Sequence, residues 1–185
     1  VILLLLMSSV HDRAAHNRLY YLMNLMLVFQ LIFLTCCIMA WAVEGKPKYN
    51  TWNIIFSSLS LTLPFLISIV YIRYIRQTVV ICGRKPRGSI WPIQLVCTAA
   101  ILLNIVSLWN HTYFRCENGV YTIGKYYMLN QMFSLLIYLP CLFYLWRNRR
   151  IGIRTSLILA SYGVLPTLAS MTQWVLPDLD AIAIA

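Results

Sequence analysis

The sequence predicts an all-α fold, a polytopic transmembrane helical bundle. Of the 185 residues, 61% are hydrophobic and 11% are charged, whereas a soluble domain carries roughly 25% charged residues. The mean hydropathy of +0.72 points the same way. The charged residues also gather between long apolar runs, and this arrangement is typical of a chain whose solvent is lipid.

Five uninterrupted apolar intervals are long enough to cross a bilayer, because each has room for the roughly 20 residues of a spanning helix. In chain order they lie between the charged pairs Arg18 and Glu44, Lys48 and Arg73, Arg87 and Arg115, Lys125 and Arg147, and Arg154 and Asp178. With a partial span at each chain end, we predict a seven-helix plan of five complete and two partial spans. The predicted helices are 1–10, 19–43, 52–75, 89–110, 126–146, 153–176 and 181–185. We expect 1–185 to be one transmembrane domain of a longer protein.

Basic residues are distributed unevenly between alternate loops. Most of the 15 Lys and Arg residues lie in or beside the loops that follow the predicted helices 1–10, 52–75 and 126–146, whereas most of the acidic residues lie in the other loops. Cytoplasmic loops of membrane proteins carry an excess of Lys and Arg. We therefore predict an N-terminus outside the cell and a C-terminus in the cytoplasm.

This topology also accounts for the net charge of +10. A soluble domain with such a charge would suggest nucleic-acid binding, but here the basic residues mark one side of a membrane. We expect the lipid bilayer as a partner, no nucleic acid, and a multi-pass location in the cell membrane. Tryptophans near the predicted span ends fit an aromatic belt. They are Trp41, Trp52, Trp91, Trp109, Trp146 and Trp174.

A short hairpin is predicted in the longest outside loop, residues 112–124. Asn118–Gly119 is a signal for a type I′ turn, and aromatic and β-branched residues flank it on both sides. We expect a small β-hairpin that lies over the outer ends of the helices. An irregular loop is the alternative, because the two strands would be short.

Intramembrane amides are the most informative candidate site residues. They lie at a similar depth, toward the outer ends of three predicted spans, and are Asn104, Asn130, Gln131 and Gln173. Because exposing an amide side chain to lipid costs free energy, we predict that these side chains face the bundle interior. They are either the floor of a ligand pocket or interhelical contacts worth roughly 0.6 kcal/mol each. The rim of such a pocket would be Trp41, Glu44, Trp109 and Tyr121.

Residue patterns for catalysis are missing from the sequence. It contains no phosphate-binding loop, no HExxH motif and no Ser–His–Asp set, so we expect no catalytic residue, no metal ligand and no cofactor in these 185 residues. Whether the whole protein is an enzyme depends on a domain that would follow residue 185.

The stretch Leu108–Pro177 combines an acidic-Asn-Gly turn, a tyrosine-rich entry to the helix at 126–146, and Leu165–Pro166 followed by Gln173. With Trp41-Ala42-Val43-Glu44-Gly45 before it, this pattern resembles the seven-helix sensor region N-terminal to histidine kinase or GGDEF diguanylate cyclase domains of Gram-positive bacteria. The resemblance implies a cytoplasmic output domain after residue 185. It also allows a homodimer formed through that output domain.

Two functions are compatible with a multi-spanning membrane chain of this kind. The first is a membrane-embedded sensory domain, which relays an extracellular or membrane cue, such as a small ligand or peptide from outside, to a diguanylate cyclase or histidine kinase. The second is a fragment of a multi-spanning transporter or channel. The second function predicts ionisable residues within the spans or an internal repeat, and neither is visible in the sequence. We favour the sensory domain.

Overall fold

The computed structural model describes residues 17–148 and 151–162, except for the side chains of residues 131, 134 and 135. The helices are α1 (Asn17–Val43), α2 (Asn50–Ile81), α3 (Trp91–Asn110), α4 (Tyr127–Arg147) and α5 (153–162). A 3-10 turn, Pro47–Tyr49, precedes α2, and the strands β1 (Phe114–Glu117) and β2 (Val120–Ile123) lie between α3 and α4. The predicted partial spans 1–10 and 181–185, and most of 153–176, lie outside the described residues.

Three of the described stretches are long and apolar enough to cross a membrane. They are α1, the segment Pro47–Ile81, and α3. The prediction of a largely helical membrane protein is confirmed at this level, and the two strands form the small hairpin expected beside the helices. The seven-helix count and the inside–outside orientation remain predictions.

The end of α2 differs from the predicted bounds 52–75, because the helix continues to Ile81. Basic side chains limit a span but do not stop a helix, and residues 76–81 contain no glycine or proline. The helix ends where Gly83 adopts a φ of +70°. The Gly83 N–H donates to the Val80 carbonyl at 2.9 Å, and the Arg84 N–H donates to the Val79 carbonyl at 3.2 Å. This pair of bonds is a Schellman motif.

Helix α2 is the centre of the bundle, since it packs along α1 and also contacts α3, α4 and β1. Its buried residues Phe65, Tyr71 and Ile75 lie in one apolar core with residues of every other described helix. The Tyr71 hydroxyl donates to the Leu159 carbonyl at 2.5 Å and so ties α5 to α2. Movement of α2 therefore disturbs contacts throughout the bundle.

The two ends of the bundle are fastened by contacts between loops that are distant in sequence. At one end, Asn148 follows α4 and is hydrogen-bonded to the backbone of Arg87 in the loop 82–90. At the other end, the Gly45 N–H donates to the Gly119 carbonyl of the hairpin. We name the first of these the basic end, because it holds Arg84, Lys85, Arg87 and Arg147. We name the second the hairpin end.

Candidate functional site

The hairpin at the hairpin end is built on a two-residue turn. Asn118 has a φ of +53° and Gly119 a φ of +82°, and a type I′ turn requires a positive φ at both positions. The strands are antiparallel, with Phe114 opposite Ile123 and Glu117 opposite Val120. The predicted hairpin is confirmed, and the irregular loop is excluded.

The peptide groups of the hairpin turn are hydrogen-bonded to the start of α2 and to the loop before it. The Gly119 carbonyl accepts hydrogen bonds from the Gly45 N–H at 2.8 Å and from Asn53 Nδ2 at 2.9 Å. The Gly119 N–H donates to Asn50 Oδ1 at 3.0 Å. Asn53 is fully buried, and its Oδ1 accepts from the Ser57 hydroxyl. The turn is thus held by three hydrogen bonds from one face.

Close approach of two backbones explains why this position is glycine. A Cβ atom on Gly119 would lie 2.6–2.8 Å from the N, C and O atoms of Lys46. Backbone atoms cannot move aside as the tip of a flexible side chain can. Any other residue at position 119 must therefore push the turn away from the loop before α2.

An apolar cluster fills the space between the hairpin and the helices. Tyr113, Phe114 and Cys116 are buried there. They pack against side chains of α2, α3 and β2, namely Ile54, Leu61, Leu108 and Tyr121. The rings of Phe114 and Tyr121 stack with centroids 5.6 Å apart. The hairpin is therefore a packed cap on the helices, which we call the hairpin cap.

The base of the hairpin cap is fastened to α3 and to the entry of α4. The Tyr113 N–H donates to the buried Ser107 hydroxyl at 2.8 Å. The Gly124 N–H donates to the Tyr113 carbonyl at 2.8 Å, and the Tyr126 N–H donates to the Thr112 carbonyl at 3.1 Å. The cap therefore makes direct contact with the ends of three helices.

The predicted rim residues divide into two pairs. Glu44 and Tyr121 interact electrostatically beside Cys116: burial raises the pKa of the Tyr121 hydroxyl, and neighbouring ionisable groups, Glu44 among them, raise it further. Trp41 and Trp109 are 73% and 71% exposed. These two indoles lie on the bundle surface, as members of an aromatic belt do.

The predicted floor residues are buried where the structure describes them. Asn104 is 2% exposed, and its Nδ2 donates to the Leu61 carbonyl of α2 at 3.0 Å. Asn130 of α4 is 4% exposed. The prediction that these amides face the bundle interior is confirmed for both. The side chain of Gln131 and the whole of Gln173 lie outside the described residues.

We expect the substitution Asn104→Leu to change the free energy of unfolding by less than about 1 kcal/mol, because it removes a single interhelical hydrogen bond within the helical bundle. The Asn104 Oδ1 atom has no hydrogen-bond partner, so leucine also removes an unsatisfied buried group. Unfolding in mixed micelles of dodecyl sulfate and maltoside measures this. A loss of several kcal/mol would show that Asn104 has a larger structural role.

The Cys116 thiol is expected to react slowly with alkylating reagents at neutral pH. Burial raises its pKa to about 11, and the Glu44 carboxylate adds to the rise. Because the thiolate is the nucleophile, the alkylation rate should climb with pH toward that value. The exposed Cys82 should be modified first. Peptide mass spectrometry over a pH series measures both rates in one sample.

Glu44→Gln provides the matched test, since it removes one negative charge and keeps the shape of the side chain. The pKa of Cys116 should fall, so the alkylation profile should move to lower pH. An unchanged profile would contradict the placement of Glu44 beside the cap.

Asn50 and Asn53 are the site residues that sequence reasoning missed. One signal was present: the two asparagines lie three positions apart, which places them on one face of a helix, at the end where the hairpin was expected. Their partner, Gly119, is 66 positions away from Asn53, and hydrophobic periodicity carries no information about such pairs.

The comparisons with known proteins leave the chain without an assigned family. Neither a protein-family model, nor a curated protein, nor a solved structure matches it.

Proposed function

We propose that the chain is a membrane-embedded sensory domain, which relays a cue from outside the cell to a cytoplasmic output domain after residue 185. The observation that carries the proposal is the attachment of the hairpin cap to the first turn of α2. Asn50 and Asn53 in that turn make two of the three hydrogen bonds to the Gly119 peptide groups, and the Gly45 N–H in the preceding loop makes the third. Since α2 contacts the other helices and extends to the basic end, it links a surface structure at one end to the basic end of the bundle.

The proposed topology places the hairpin cap outside and the basic end in the cytoplasm of a seven-span protein in the cell membrane. Arg73 follows Asn53 by twenty residues, a rise of about 30 Å along an α-helix. This equals the thickness of the hydrocarbon core, about 30 Å. Helix α4 has 21 residues, enough for one further crossing at the same rise.

In the proposed mechanism, a small ligand or peptide binds at the hairpin end and favours one of two packings of the cap on α2. The exposed side chains near the cap, Trp41, Glu44 and Trp109, would contact the ligand. A ligand shifts such an equilibrium only by the difference between its affinities for the two packings. The resemblance to sensor regions of histidine kinases and diguanylate cyclases makes one of these enzymes the proposed output.

The test compares full-length protein in membrane vesicles with the variants Asn50→Ala and Asn53→Ala, which loosen the cap. Cyclic di-GMP synthesis from GTP and autophosphorylation by ATP are both measured. Asn110→Ala is the control, because Asn110 is an exposed asparagine at the same end without a role in holding Gly119. We expect one activity to be present and to change several-fold in both cap variants but not in the control. Absence of both activities, or equal output in all four proteins, would refute the proposal.

A further inference from the structure

A groove between α2 and α3 opens on the bundle surface at the basic end. Its volume is about 420 Å³, and it is lined by Ile69, Arg73, Trp91, Gln94, Leu95 and Thr98. Arg73 and Trp91 lie toward the loop 82–90 that joins the two helices, whereas Ile69 and Thr98 lie about one and two turns deeper in the bundle. The groove thus has a cationic, aromatic end and an apolar continuation along the helices.

Gln94 brings an unsatisfied donor to this groove. Its Nε2 atom is buried and makes no hydrogen bond. A buried donor without a partner is unfavourable, so a ligand that accepts a hydrogen bond from it gains affinity from the contact. Because Gln94 lines the groove, rotation of its side-chain amide presents the N–H groups to an occupant. The neighbouring Thr98 hydroxyl donates to the backbone carbonyl of Gln94 at 2.9 Å.

Arg73 supplies a charge that no described carboxylate balances at this end. The acidic residues within 17–148 and 151–162 are Glu44 and Glu117; Glu117 pairs with Arg115 in the hairpin, and Glu44 follows α1 at the hairpin end. Arg73 is exposed, and guanidinium binds phosphate through two parallel hydrogen bonds. About 30 Å of helix separates it from Asn53, so it lies at headgroup depth when Asn53 lies at the opposite interface.

We propose that this groove binds an anionic phospholipid of the leaflet at the basic end. The lipid phosphate lies between the Arg73 guanidinium and the Gln94 amide, and one acyl chain follows Ile69 and Leu95. Trp91, which is exposed at the first turn of α3, packs at the glycerol level, where indole rings are favoured. The site depends on membrane insertion but not on the sensory function or on which side the basic end faces.

The test uses photoactivatable phosphatidylglycerol that carries a diazirine on one acyl chain, with the matching phosphatidylcholine as the neutral lipid. The full protein is reconstituted into phosphatidylcholine vesicles with a minority of either probe, irradiated and mapped by mass spectrometry. We expect phosphatidylglycerol to label the peptide that contains Trp91–Thr98 more strongly than phosphatidylcholine does. Excess soluble glycerol phosphate should not reduce the labelling, because the acyl chain contributes to binding.

Arg73→Gln should lower the phosphatidylglycerol labelling of this peptide about fivefold, the change that corresponds to roughly 1 kcal/mol per basic residue near a membrane surface. Gln94→Leu should lower it as well. Arg76→Gln is the matched control, since Arg76 is an exposed arginine of the same helix that does not line the groove. Equal labelling by the two lipids, an equal loss in the Arg76→Gln protein, or competition by glycerol phosphate would each overturn the proposal.

Discussion

Replacing Gly119 with alanine is expected to lower the free energy of unfolding by about 3–5 kcal/mol and to release the hairpin cap from α2. A positive φ costs an L-residue roughly 1–2 kcal/mol. The added Cβ would lie 2.6 Å from the carbonyl carbon of Lys46, so the turn must move away. That movement breaks the three hydrogen bonds that hold Gly119, each worth about 1 kcal/mol.

Gly83→Ala is the matched control for this substitution. Gly83 also has a positive φ, but nothing lies within 4 Å of a Cβ atom built there. Only the conformational cost of about 1–2 kcal/mol should appear. Unfolding by dodecyl sulfate in maltoside micelles measures both variants. Equal losses of stability in the two proteins would contradict the expected clash between the added Cβ atom and the Lys46 backbone.

Asn148→Leu is expected to destabilise the protein by about 2–4 kcal/mol, because it leaves backbone groups at the basic end without their partners. Asn148 is 5% exposed. Its Oδ1 accepts from the Arg87 N–H at 2.8 Å, and its Nδ2 donates to the carbonyls of Arg87 and Tyr144 at 3.1 and 2.8 Å. Leucine fills the volume of the asparagine but provides none of these three bonds.

The same change at Asn104 is the comparison. Both asparagines are buried, but Asn104 makes one hydrogen bond to a carbonyl within α2, whereas Asn148 closes the loop 82–90 onto α4. Measured under identical micelle conditions, the Asn148 variant should lose at least twice as much stability as the Asn104 variant. A smaller loss at Asn148 would contradict the proposed role of this residue in fastening the basic end.

The parts of the fold that could be predicted are those that follow from solvent and from short sequence patterns. Apolar runs bounded by charges located α1, α3 and α4, because lipid requires long apolar helices. The Asn118–Gly119 pair located the hairpin, because few residues adopt two successive positive φ values. The cost of an amide in hydrocarbon was enough to predict that Asn104 and Asn130 are buried.

The contacts that fasten the two ends of the bundle could not be predicted. Asn53 is hydrogen-bonded to Gly119, 66 positions away in the sequence, and Asn148 is hydrogen-bonded to Arg87, 61 positions away. Each asparagine lies at or beside the end of a helix, where a polar residue is ordinary and signals no particular partner. The end of α2 was missed for a different reason, since Arg73 marks the limit of the apolar run and Gly83 marks the limit of the helix.

Cysteine accessibility in intact cells tests the central claim, that the hairpin cap lies outside the cell and the basic end lies in the cytoplasm. Thr122→Cys places a thiol on the exposed side of the hairpin, and the native exposed Cys82 reports on the basic end. With a membrane-impermeant maleimide, Cys at position 122 should be labelled in intact cells, and Cys82 only after permeabilisation. Labelling of Cys82 in intact cells, or of position 122 only after permeabilisation, would contradict the proposed arrangement.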